Sequence, residues 1–152
     1  MDKRLLSDRL FPYFCWNYKK KSVFIFIVAI VLGAAFNSLI LTIGMELIPP
    51  PEGYDMNNAE DLAKAMSEME TKHYLFPFLS HALGTLIGVI FYTYFAKAKK
   101  LFFPLFIAGL FFAGGFYMVI ILPSPLWFDS IDLILAYFPM AILGFNISKR
   151  KT

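Results

Sequence analysis

Charged residues are scarce in this chain of 152 residues, and that scarcity decides its class. Asp, Glu, Lys and Arg make up 16% of the sequence, whereas hydrophobic residues make up 59%. A soluble domain is usually about a quarter charged and about half apolar. The composition therefore excludes an ordinary soluble domain and predicts a protein that lies in a membrane.

Cysteine and histidine are also scarce. The single cysteine, Cys15, excludes an internal disulfide, and we interpret it as an inert thiol rather than a lipidated or redox-active one. The two histidines do not form a zinc-protease spacing. The sequence also lacks a phosphate-binding glycine loop and a supported Ser/His/Asp arrangement. These absences favour a non-enzymatic role without a cofactor.

Long apolar runs are what the chain has instead. A helix needs about 20 apolar residues to cross the roughly 30 Å hydrocarbon core of a membrane. Three runs meet this length, at 23–48, 74–95 and 101–122, and a fourth, at 131–147, is at the short end. They occupy most of the chain and predict a single all-α membrane domain, folded as an antiparallel bundle of four transmembrane helices.

The basic residues lie on one side of these predicted spans. Twelve of the 14 Lys and Arg residues fall in the segments 1–22, 96–100 and 148–152. Because short cytoplasmic loops are enriched in Lys and Arg, we predict cytoplasmic termini, with the 49–73 loop and the 123–130 turn outside. The net charge of +3 then reflects membrane anchoring and not nucleic-acid binding.

The outer 49–73 loop contains a predicted amphipathic helix over 59–72, which Asn58 is placed to cap. Its apolar face includes Met66, Met69 and His73, at helical spacing. Thioether and imidazole groups suit Cu(I), so these three residues are candidate metal ligands. Methionines at this spacing are also the ordinary apolar face of a helix on a membrane surface. We favour that second interpretation and predict no bound metal.

Small residues recur at a spacing of four on two predicted spans. They are Ser80, Gly84 and Gly88 on the second span, and Gly109 and Ala113 on the third. Small residues at this spacing let the backbones of membrane helices approach closely. We expect packing within one chain, and dimerisation through one stripe is the alternative.

Polar side chains inside a membrane span are costly, so each is a candidate site residue. The candidates in the half of the predicted spans that faces outwards are His81, Glu46, Asp132 and Thr85, and Asn37 lies near the middle of the membrane. They predict a small polar pocket that opens to the outside. The alternative is a single interhelical hydrogen bond from His81, with the acidic residues in the headgroup region.

Several stretches resemble a group of small, uncharacterised bacterial inner-membrane proteins with four transmembrane helices. The resemblance rests on Pro49–Gly53, Lys72–Gly88, Ala113–Asp129 and Ala136–Ala141, and it covers most of residues 45–145. It implies a bacterial inner membrane and a four-span topology. It brings no known activity, so it assigns no catalytic residue.

Three functions are open at this point. The favoured one is a non-enzymatic membrane protein that binds a partner protein, a lipid or another hydrophobic ligand. The second is a small oligomeric transporter or channel that uses His81 and Glu46, and the third is a membrane metal protein or enzyme. The expected partners are the lipid bilayer and either a second copy of the chain or another membrane protein, with no nucleic acid.

Overall fold

A computed structural model describes the backbone of residues 3–149 and the side chains of residues 21–149. The interpretation of Cys15 therefore lies outside the described side chains, as does nearly all of the predicted cytoplasmic segment 1–22. The described part is all-helical, with 81% helix. Its elements are α1 (Lys3–Leu47), α2 (Ala59–Glu68), a 3-10 helix (Thr71–Tyr74), α3 (Leu75–Phe95), α4 (Phe102–Ile121), α5 (Leu126–Leu135) and α6 (Phe138–Lys149).

Four segments are long and apolar enough to cross a membrane, as the sequence predicts. They are Lys21–Leu47, Thr71–Phe95, Phe102–Ile121 and Leu126–Lys149. Large apolar side chains cover much of their outer surface; Phe24, Ile120 and Leu126, for example, are 68%, 67% and 83% exposed. Exposed apolar surface on this scale is suited to contact with lipid.

The last of these segments consists of two helices separated by Ala136 and Tyr137. Pro139 has no backbone N–H, so it cannot bond to the carbonyl of Leu135 as a continuous helix requires. The segment also starts at Leu126, earlier than the predicted residue 131. Tyr137 lies in this break, and its side chain is buried in the interior, with only 1% exposed.

α3 is the central helix, since it contacts α1, α4, α5 and α6. A Cβ atom built on Gly84 would lie 2.8 Å from the carbonyl oxygen of Gly33 in α1. A Cβ on Gly88 would lie 3.0 Å from the carbonyl oxygen of Ala29. The missing side chains therefore let the backbones of α1 and α3 come into contact. Ser80, in the same stripe, is fully buried.

The small residues Gly109 and Ala113 of α4 do not pack against a neighbouring helix as those of α3 do. A Cβ on Gly109 would have no other atom within 4 Å, and Ala113 is exposed. The packing within one chain that we expected at these two positions is absent from the described structure. Both residues lie on the outer surface of α4, so dimerisation through this stripe stays a prediction.

A hydrophobic cluster fills the interior near the loop between α3 and α4. Its buried members are Ile25, Ala29, Val89, Tyr92, Ile107, Ala108, Ala141 and Phe145. All four apolar segments contribute to it. The interior at this end of the molecule is therefore packed with apolar side chains.

The contact between Gly84 and Gly33 can be tested with Gly84→Leu. Overpacking a core typically costs about 1–3 kcal/mol, so we expect a lower thermal unfolding midpoint for the purified protein in lipid nanodiscs. Gly109→Leu is the matched control, because its side chain enters open space on a helix of the same kind. Equal midpoints for the two variants would contradict the close packing of α1 on α3.

Candidate functional site

A hydrogen-bonded pair of ionisable side chains joins α3 to α5. The Nδ1 atom of His81 lies 2.9 Å from Oδ2 and 3.0 Å from Oδ1 of Asp132. The side chain of Asp132 is 3% exposed and that of His81 is 23% exposed. Because an ionised carboxylate only accepts hydrogen bonds, Nδ1 carries a proton and donates it. The second ring nitrogen, Nε2, has no hydrogen-bond partner among the described residues.

Tyr137 completes this group, which we call the polar cluster (His81, Asp132 and Tyr137). Its hydroxyl donates to Oδ2 of Asp132 over 3.1 Å, and its ring stacks on the imidazole of His81 with centroids 5.7 Å apart. Gly115 of α4 makes room for it, since any Cβ there would collide with the Tyr137 hydroxyl. The break between α5 and α6 and the glycine in α4 are both needed to hold Tyr137 in this place.

Asp129 is a second buried carboxylate one turn earlier on α5. It is 7% exposed and accepts a hydrogen bond from the hydroxyl of Ser124. It lies in the first turn of α5, where the helix dipole favours negative charge. No salt bridge joins Asp129 to a Lys or Arg among the described side chains.

A cavity of about 310 Å³ lies against the polar cluster, between α2 and the apolar helices. We call it the methionine cavity, because five of the seven methionines of the chain line it: Met45, Met56, Met66, Met69 and Met118. Phe76 and Phe128 add aromatic surface, while Asp129, Asp132 and His81 supply polar groups. The result is an apolar chamber with ionisable groups on one wall.

α2 covers this cavity, and several polar contacts hold it there. Asn58 caps α2 as predicted, because its side-chain oxygen accepts from the backbone N–H groups at residues 60 and 61. The hydroxyl of Tyr54 donates to Glu68 over 2.7 Å, and this hydrogen bond raises the pKa of Tyr54. The hydroxyl of Tyr74 donates to the carbonyl of Met66 over 3.2 Å. The C-terminal part of α2 is thus attached to Tyr54 and Tyr74 on neighbouring segments.

A second cavity, of about 440 Å³, lies between α1 and α4, and we call it the α1–α4 cleft. Asn37 and Ser38 of α1 and Gly114 of α4 line it. Residues that line both cavities are His81, Gly115 and Met118. His81 therefore stands at the junction of the methionine cavity and the α1–α4 cleft.

The structure brings together some of the predicted pocket residues and leaves others apart. His81 and Asp132 are in contact, and Asn37 shares the α1–α4 cleft with His81. Glu46 is exposed on α1 and lines neither cavity. Thr85 is 1% exposed and its hydroxyl has no hydrogen-bond partner among the described residues, but it also lines neither cavity.

The predicted face of Met66, Met69 and His73 on one helix over 59–72 is wrong. α2 ends at residue 68, and Met69 has extended backbone angles of φ −68° and ψ 131°. The three residues nevertheless line the same cavity. The chain reaches this arrangement by a turn, and not by helical periodicity.

His73 is also poorly placed to bind a metal, since both of its ring nitrogens are engaged. Nδ1 accepts from the backbone N–H of Glu70 over 2.9 Å. Nε2 lies 3.1 Å from the carbonyl oxygen of Pro49, to which it donates. Among the described residues, no group of three or more His, Cys, Asp or Glu side chains is placed to hold a metal ion.

Sequence reasoning missed Tyr137 and Met118 as residues of the site. One signal for Tyr137 was available, because it carries a hydroxyl within an apolar run and lies two residues before Pro139. Nothing in the local sequence marked Met118, which lies within the apolar run of α4. No family model, curated protein or solved structure matches this chain.

A double-mutant cycle on His81→Ala and Asp132→Ala tests the central pair. Removing one partner leaves the other buried and unpaired, so we expect a coupling free energy of about 0.5–3 kcal/mol. The measurement is the free energy of unfolding of the four proteins in the same micelles.

The exposed Lys72–Glu70 pair, with its nitrogen and oxygen 3.1 Å apart, provides a matched control. Its coupling should be much smaller, because solvent screens exposed charges. Additive effects at His81 and Asp132 would show that their contact contributes nothing specific.

Proposed function

We propose that this chain is a multi-pass membrane protein that binds a small amphipathic ligand in the methionine cavity. The observation that supports this proposal is the composition of that cavity, which combines apolar walls with the polar cluster on one side. Small-molecule sites usually have this character, with a few polar groups in a largely apolar pocket of about 300–1,000 Å³. Methionine side chains are flexible and adapt to apolar ligands of irregular shape.

The position of His81 supports an anchoring role for its imidazole. Asp132 holds the proton on Nδ1, which leaves Nε2 to meet a polar group of the ligand. The apolar part of the ligand would lie among the methionines and against Phe76 and Phe128. A cavity with one polar group and apolar walls is better suited to an amphipathic molecule than to a purely apolar one. A purely apolar ligand would leave the imidazole Nε2 without a hydrogen-bond partner.

A polar path through the membrane has less support than a binding site on one side. Beyond Thr85, the next buried residue of α3 with a hydroxyl is Tyr92, about 10 Å further along the helix at 1.5 Å per residue. Val89 lies between them, is fully buried, and belongs to the hydrophobic cluster. Glu46, the second residue of the transporter hypothesis, lies outside both cavities. These observations favour ligand binding over transport by a single chain.

We further propose that the apolar segments form an antiparallel bundle in a bacterial inner membrane, with both termini in the cytoplasm. The contacts of α3 with α1, α4 and α6 support the bundle. The orientation follows from the basic residues, since Lys97, Lys99 and Lys100 all lie between α3 and α4. α2 and the methionine cavity would then face the outside.

Cysteine labelling tests this orientation. In a Cys15→Ser background, we expect Lys72→Cys to react with a membrane-impermeant maleimide in intact cells. Lys99→Cys should react only after the cells are made permeable. The opposite pattern would place the methionine cavity on the cytoplasmic side.

Methyl NMR of carbon-13 methionine tests ligand binding by the full chain in lipid nanodiscs. With 1-octanol as the probe, we expect concentration-dependent shifts of the methyl signals of Met66, Met69 and Met118. Met140 is the internal control, because it lines neither cavity. In His81→Gln we expect weaker binding with the same signals affected, since the anchor changes but the walls remain. Shifts of all methionines together, or of none, would contradict a site in this cavity.

A further inference from the structure

The charges that line the methionine cavity are unbalanced. Asp129 and Asp132 are both buried, at 7% and 2% exposure. Among the described residues no Lys or Arg lines the cavity. His73 lines the cavity as well, but its two ring nitrogens are already hydrogen-bonded to the backbone at Glu70 and Pro49. Among the described residues that line the cavity, His81 is the remaining group that could offset a carboxylate, and it is already bound to Asp132.

Asp129 in particular has little to balance its charge. Its described partners are the hydroxyl of Ser124 and the amino-terminal end of α5. A hydroxyl and a helix dipole stabilise a carboxylate, but neither neutralises it. A ligand that brings a positive charge into the cavity would therefore gain a partner that the protein itself does not supply.

The remaining walls are also suited to a cation with an apolar body. The aromatic rings of Tyr74, Phe76 and Phe128 line the cavity, and aromatic faces attract cations. The volume of about 310 Å³ is that of a small organic molecule and far exceeds a single metal ion. An anion in the same place would face two carboxylates in an environment of low dielectric constant.

We propose that the methionine cavity selects a lipophilic organic cation, such as an alkylammonium, over neutral and anionic molecules of the same length. The proposal rests on the proposed ligand-binding function and adds the charge of the ligand to it. The cavity provides the volume in which the ligand binds, and the carboxylates of Asp129 and Asp132 favour a ligand with a positive charge. The ammonium group would lie between Asp129 and the polar cluster, with the alkyl chain among the methionines.

The test compares octylammonium, 1-octanol and octanoate at pH 7, with the full chain in phosphatidylcholine nanodiscs. The readout is the methionine methyl spectrum, and each probe concentration is corrected for its partition into protein-free nanodiscs. We expect octylammonium to shift the signals of Met66, Met69 and Met118 at a concentration at least about tenfold lower than octanol, which corresponds to about 1.4 kcal/mol. Octanoate should bind more weakly than octanol.

The variant Asp129→Asn tests whether the charge of Asp129 causes the preference for octylammonium, because it keeps the shape of the side chain and removes its charge. We expect this variant to lose most of its preference for octylammonium over octanol, measured as the ratio of the two concentrations that shift the methionine signals. Glu60→Gln is the matched control, since Glu60 is an exposed carboxylate on α2 outside the cavity. It should behave like the unmodified protein.

The outcomes separate this inference from the function on which it rests. Equal binding of the three probes, or tightest binding of octanoate, would overturn cation selection and leave ligand binding intact. The same would follow if Asp129→Asn kept the full preference for octylammonium. If none of the probes shifts the cavity methionines relative to Met140, both the inference and the proposed function fail.

Discussion

The contact between His81 and Asp132 is the constraint around which the candidate site is organised. A carboxylate that is only 3% exposed needs a partner, because an uncompensated buried charge is strongly destabilising. The imidazole supplies that partner from α3, and Tyr137 adds a hydroxyl from the break between α5 and α6. Gly115 must lack a side chain for Tyr137 to fit. One buried contact therefore depends on residues from three helices.

Close packing elsewhere in the molecule positions the walls around this contact. The backbones of α1 and α3 touch at Gly33 and Gly84, and His81 of α3 lies where the methionine cavity and the α1–α4 cleft meet. The hydrophobic cluster near the α3–α4 loop fills the other end of the interior. The buried carboxylates and the methionine cavity lie at the end near α2, where we propose that the ligand binds.

The candidate site could be predicted from the sequence only in part, and the failures have physical reasons. His81 and Asp132 stood out because ionisable groups are rare within apolar runs. Glu46 stood out for the same reason, yet it faces away, because depth along a helix does not determine which way a side chain points. Met69 and His73 were misplaced on α2 because the helix ends at residue 68, where no proline or glycine marks its end.

By itself, the sequence determined the number of apolar segments, their approximate limits and the one-sided distribution of basic residues. These follow from composition and length, since each span must bury its own backbone polar groups and cross a fixed thickness. Only the tertiary structure decided that Asp132 meets His81, that Tyr137 turns inwards and that five methionines surround one cavity. Those contacts depend on the rotation of each helix about its axis and on the break before Pro139. They arise from packing between segments far apart in the chain, which local sequence does not encode.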